Sequence, residues 1–161
     1  MKAVGIDPGL AATGIGIVEG GYNNKIINYS FGVINTYNNT SLTDRLNKIF
    51  LGLKKIFEQE KPNIIILEDI FSLTEYPKSG ITLGKVTGVV LLAGVRSDIP
   101  IIEISVSEAK QILTGNGKAS KTQLELAVRN LLNVPILIKP NHASDALALA
   151  LIGLYRYNNR L

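Results

Sequence analysis

The stretch from Lys2 to Gly21 reads KAVGIDPGLAATGIGIVEGG, and it decides the front of the fold. Lys2–Ile6 is a short apolar run ending at Asp7-Pro8-Gly9, the composition of a strand entering a tight turn. Gly14–Glu19 then alternates glycine with Ile15 and Ile17 as a second strand, and Gly20-Gly21 breaks it. Working outward, Lys25–Tyr37 carries Ile26, Ile27, Tyr29, Phe31, Val33 and Ile34, which suits a third strand. Three such strands in succession predict an antiparallel meander.

From Ser41 to Glu60 the period changes. Leu46, Ile49, Phe50, Leu53, Ile56 and Phe57 recur at three and four residues, the signature of an amphipathic helix. Ser41 and Asp44 form a candidate capping pair at its start, and Pro62 stops it. Asn63–Leu67 contains Ile64, Ile65 and Ile66 in a row, as expected of a strand buried on both faces. A polar stretch, Ser72–Ser79, leads to a second helix ending near Ser97, and Pro100–Ile104 is a fifth strand. Helical patterns follow at Val106–Leu113, Ser120–Leu132 and Asn141–Tyr157. The layout is α/β with a mixed sheet at the front. No linker, repeat or low-complexity tract divides it, so residues 1–161 read as one domain.

Composition excludes several classes. The 161 residues hold 17 Lys+Arg against 13 Asp+Glu, a net charge of +4 that fits an anionic partner without naming one. Zero cysteines exclude a disulfide framework, a thiolate zinc site and a cysteine nucleophile. Apolar runs such as Val89–Val95 fall far short of the roughly 20 residues a bilayer span needs. Asp7 and Pro8 arrive before any secretory apolar core forms, so the expected location is the cytoplasm, with no membrane partner.

Three carboxylates stand in surroundings unlike those of surface charges. Asp7 ends the first strand, Glu68 directly follows the fourth, and Asp145 opens a helix whose residues Ala146–Leu154 are apolar all round. Taken singly, Asp7 is also a turn former, Glu68 a partner for a lysine or arginine, and Asp145 a complement to the helix dipole. Taken together, strands one and four as sheet neighbours would send both carboxylates out at one edge, where the last helix can lay Asp145 across them. His142, three residues before Asp145, shares its helical face. A cluster of hard oxygens suits Mg²⁺ or Mn²⁺, and two such ions would clamp an in-line phosphoryl displacement.

Gly5-Ile6-Asp7-Pro8-Gly9 with Thr13-Gly14, then Leu67-Glu68-Asp69-Ile70-Phe71, then His142-Ala143-Ser144-Asp145-Ala146-Leu147-Ala148 together resemble the RuvC family of Holliday junction resolvases. Ala109-Lys110-Gln111 and Thr114-Gly115-Asn116-Gly117 extend the resemblance, which runs in order over nearly the whole chain. It implies an RNase H-like fold: a five-stranded mixed sheet, made of a three-strand antiparallel meander plus two parallel strands, with helices on both faces. It further implies a homodimeric endonuclease that nicks four-way DNA junctions symmetrically using Mg²⁺ or Mn²⁺, one or two ions per subunit. The products expected are 5′-phosphate and 3′-hydroxyl ends. Asp7, Glu68 and Asp145 would be metal-binding catalytic acids, and a branch-migration machine of RuvA and RuvB the partner. Many members carry a fourth Asp where this chain has His142. We keep His142 as catalytic, either ligating metal or assisting proton transfer, and expect a relative preference for Mn²⁺, which accepts imidazole readily.

Phosphate contacts supply DNA affinity, so basic residues near the acidic edge are the candidates: Lys85, Lys110, Lys118 and Lys121. The resemblance places Lys110 and Lys121 with the scissile strand and Phe71 against a base near the crossover. Tyr76 and Lys78 lie in the same polar loop as further DNA candidates. Gly80, Gly84 and Gly88 recur every four positions and call for a close-packed neighbour, either a second subunit or the chain's own sheet. Rival readings are an actin- or sugar-kinase-like ATPase, for which the chain has no room for a second phosphate domain, an RNase H-like nuclease acting on other substrates such as RNA, and a non-enzymatic junction binder.

Overall fold

The computed structural model describes residues 1–69 and 77–158, with the side chains of Pro77 and Lys78 outside that description. The meander forms as expected: β1 (Lys2–Asp7), β2 (Ala12–Gly20) and β3 (Ile26–Asn35) pair antiparallel, with a short 3-10 turn at Tyr22–Asn24 before β3. β4 (Ile64–Glu68) then joins the other side of β1 in parallel, and β5 (Ile101–Ile104) adds beyond it, giving the order β3-β2-β1-β4-β5. β1 and β4 are central, which is why their apolar runs are continuous rather than alternating.

Helices cover both faces. On one, α1 (Leu42–Glu60) and α2 (Pro77–Val95) bury Ile49, Leu53, Phe57, Val86 and Val90 against Val4, Ile6, Ile65 and Leu67. Ser41 caps α1 by accepting from the Asp44 N–H at 3.1 Å, as the capping pair predicts. The helix ends at Glu60 and is capped by Lys61, in the left-handed conformation, directly before Pro62. α2 is described from Pro77 onward, so its first residues fall inside the stretch read as polar connection.

The other face is built on α5 (Asn141–Tyr157), flanked by α3 (Val106–Thr114) and α4 (Lys121–Leu132). α5 lies unusually close to the sheet. A Cβ placed on Gly5 would sit 1.9 Å from the Ala146 carbonyl oxygen, on Gly14 2.1 Å from the His142 oxygen, and on Gly16 2.4 Å from the Leu147 nitrogen. Only glycine admits backbone-on-backbone contact of this kind. The three glycines of β1 and β2 therefore fix how far the first turns of α5 sit above the strand ends.

Candidate active site

Parallel pairing sets Ile6 opposite Leu67, so the next residues, Asp7 and Glu68, leave the sheet side by side. Asp7 is only 7 % exposed and Glu68 half-buried. α5 crosses the same edge. His142 Nδ1 lies 2.5 Å from Asp7 Oδ2, and with the carboxylate ionised the ring donates its Nδ1–H, leaving Nε2 without a partner among the described residues. Asp145 is the fifth residue of α5, past the first turn, so the dipole-complement alternative does not describe it. Asp145, Glu68, Lys110 and Lys121 line one cleft of about 60 Å³ between α3, α4 and α5.

The electrostatics are those of crowded acids short of cation. Burial raises the Glu68 carboxyl to about 8, reinforced by its hydrogen bond with Asp7 and by the negative charges of Asp7 and Asp145. Burial likewise lifts Asp7 to about 6; the Glu68 hydrogen bond opposes that rise, Asp145 adds to it, and Lys121 lowers it. Near neutral pH the two carboxyls thus hold one proton between them. The chain's own counter-charge is slight: Lys121 Nζ is 3.5 Å from Asp145 Oδ2 on a side chain 76 % exposed, a pair worth about 0–1 kcal/mol.

Three carboxylates and an imidazole form a hard donor set, and the raised proton affinity of Asp7 and Glu68 marks charge that the fold leaves uncompensated. The residues fit a divalent cation on both counts. Among the described residues no three His, Asp or Glu side chains are already gathered as a metal-holding group. Asp7 and Asp145 instead face His142 and Lys121, which occupy oxygens a metal would take.

The remaining candidates separate by position. Lys110 and Lys121 border the cleft, and Lys118 is exposed on the α3–α4 connection. Lys85 is exposed on α2, across the sheet from α5. Lys78 lies in α2 with its side chain outside the description, and Phe71 and Tyr76 lie outside the described residues. Two threonines support the site: Thr13, which the sequence shows only as part of the motif with Gly14, and Thr36, which no motif marks. Thr13 donates its hydroxyl to the Gly9 carbonyl at 2.8 Å, and Thr36, itself bonded by Arg45 Nε at 2.8 Å, donates to Leu10. Together they pin the turn that follows Asp7. The signal for Thr13 was present, a hydroxyl residue inside an otherwise Gly/Ile strand.

This strand order, with carboxylates at the ends of β1 and β4 and more brought over by the last helix, is the architecture of the RNase H-like nucleases. The family model "Crossover junction endodeoxyribonuclease RuvC" matches residues 3–153. A protein of that name from Carboxydothermus hydrogenoformans is 40% identical over 161 residues, covering 100% of both chains. A Thermus thermophilus RuvC structure superposes with a TM-score of 0.87 at 28% identity, covering 99% of this chain and 97% of that one. The T. thermophilus RuvC structure in complex with Holliday junction substrate gives 0.88 at 24% identity, a likeness of fold, covering 99% and 97%. The chain belongs to the RuvC family, whose nucleases depend on divalent metal.

Proposed function

We propose that this protein is a structure-selective endonuclease that resolves four-way DNA junctions by paired symmetric nicks, in homologous recombination and repair. The observation that carries the reading is that Asp7, touched by His142, leaves the sheet beside Glu68, which shares a cleft with Asp145, Lys110 and Lys121. Asp7, Glu68 and Asp145 would hold Mg²⁺, with Mn²⁺ able to replace it, as one or two ions per subunit. Bound there, the metal would supply an activated water and counter-charge for the phosphate. Lys110 and Lys121 orient the scissile phosphate, and His142 Nε2 is free to ligate or to take a proton at the attacking side. Cleavage then leaves 5′-phosphate and 3′-hydroxyl ends.

A two-fold junction calls for two sites, and α2 offers a face to join them. Ile81, Leu92 and Val95 are exposed there, and a Cβ on Gly84 or Gly88 would meet nothing within 4 Å. Those two glycines therefore do not pack on the chain's own sheet, which favours the partner subunit. Gly88→Glu is expected to give a monomer in light scattering that retains its fold. RuvA and RuvB are proposed as partners by family analogy alone, and the cytoplasm as the place of action; among the described residues no helix is long and apolar enough to cross a membrane.

The test is a ligatable synthetic four-way junction, incubated with Mg²⁺ or Mn²⁺ beside linear duplex and RNA–DNA hybrid. Paired, sealable nicks on the junction alone are expected. Equal cutting of linear duplex or hybrid would replace junction resolution with the broader RNase H-like reading.

A further inference from the structure

The connection from α3 to α4 carries Lys118 and is held by its own side chains. Gln111 spans it: Nε2 donates to the Gly115 carbonyl at 3.0 Å, and Oε1 accepts from the Gly117 N–H at 2.9 Å. Gly115, at φ +73, closes α3 by donating its N–H to the Gln111 carbonyl, so both the main chain and the side chain of Gln111 grip one turn. Thr114 bonds Asn116, and Asn116 Oδ1 accepts the Lys118 N–H at 3.0 Å. Ala119, buried, then anchors the start of α4.

We infer that Gln111 is a positioning residue for DNA, clamping the Gly115–Gly117 turn so that Lys118 is held where it meets a phosphate. The inference rests on the proposed reading of Lys118 as a DNA contact. Among side chains of this length only a neutral amide can donate to a carbonyl and accept from an N–H at once. Both bonds are exposed to solvent, so they contribute little to global stability. Their effect falls on the order of the turn. A turn already ordered spares the entropy otherwise lost when it meets the phosphate.

Gln111→Met keeps the length of the side chain and adds no charge but can make neither bond. Junction binding is measured across a salt series in wild type, Q111M, K118A and the double variant. Q111M is expected to raise Kd about threefold to tenfold, the range for freeing one long side chain and its loop. The slope of log K against log salt should fall by up to about 0.9, one phosphate's share, with kcat on saturating junction unchanged. In the K118A background Q111M should cost less than about twofold, because its route of action is gone. Equal losses in both backgrounds, or a fall in kcat at unchanged Kd, would overturn the clamp. K118A binding as tightly as wild type would overturn the DNA reading of Lys118 itself, and the clamp with it.

Discussion

Several acids elsewhere in this molecule are met by lysine or arginine, and at the C-terminal ends of β1 and β4 two acids stand against each other. Glu125 pairs with Arg129 at 2.8 Å and also accepts the Ile138 N–H, Glu108 pairs with Arg156 at 2.6 Å, and Glu60 with Lys2 at 3.1 Å. Asp7 meets only the His142 imidazole and, among the described residues, Glu68 meets no lysine or arginine; burial, with the charge of Asp145 adding to it, raises both. The chain can neutralise a half-buried carboxylate when structure alone is at stake. Withholding the arginine leaves charge for a ligand to complete, and two carboxylates beside Asp145 specify a cation.

That contrast is broken most strongly by neutralising the acids. Asp7→Asn, Glu68→Gln or Asp145→Asn should lower junction cleavage about 10³-fold or more, some 4 kcal/mol of transition-state stabilisation. Junction binding in a gel-shift assay should persist, and wild-type cutting by any one variant would remove that residue from the site.

Next in size is the separation of structural from functional acids. Glu125→Ala leaves Arg129 half-buried without its partner and should destabilise the fold by about 3 kcal/mol in urea unfolding. Asp7→Asn should do the opposite at pH 8 in chelator, stabilising the metal-free protein. A matched loss of stability in both would mean that the two kinds of acid are equivalent.

Linkage gives a third consequence. Asp7 and Glu68 bind protons more tightly folded than unfolded, their pKa rising from 3.8 to about 6 and from 4.5 to about 8. Metal-free stability should therefore be greatest near pH 4 for this pair and decline by a few kcal/mol as pH rises to about 8. Saturating Mn²⁺ or Mg²⁺ should flatten the decline in melting temperature. A metal-free protein whose stability rises over this range would contradict the raised values.

Sequence pattern carried much of this, for a physical reason. Asp7 and Glu68 were legible because each ends an apolar run, and an acid at that boundary stands out whatever the tertiary structure. The height of α5 above the sheet was not legible, since it depends on Gly5, Gly14 and Gly16 touching helix backbone far along the chain. Nor was the contact of His142 with Asp7, or of Lys121 with Asp145, because each joins separate elements. Lys85 shows the limit from the other side: chosen as basic, it stands on the face opposite α5, on the helix with the open glycines.

The smallest effects sharpen the comparison. Lys121→Ala should change unfolding stability by less than about 1 kcal/mol yet weaken junction binding and reduce its salt slope by about 0.9. His142→Asp, which adds a fourth acid, should shift the ratio of Mn²⁺- to Mg²⁺-supported rates toward Mg²⁺. An unchanged ratio would mean that the imidazole does not touch metal.

Calorimetric titration of the protein with Mn²⁺ at pH 7, in two buffers of different ionisation enthalpy, addresses the cation-shaped gap most directly. Binding to wild type is expected with release of a proton as Glu68 ionises, and with the signal abolished in Asp7→Asn and Glu68→Gln. Undiminished Mn²⁺ binding by both variants would show that these carboxylates were never meant to share an ion.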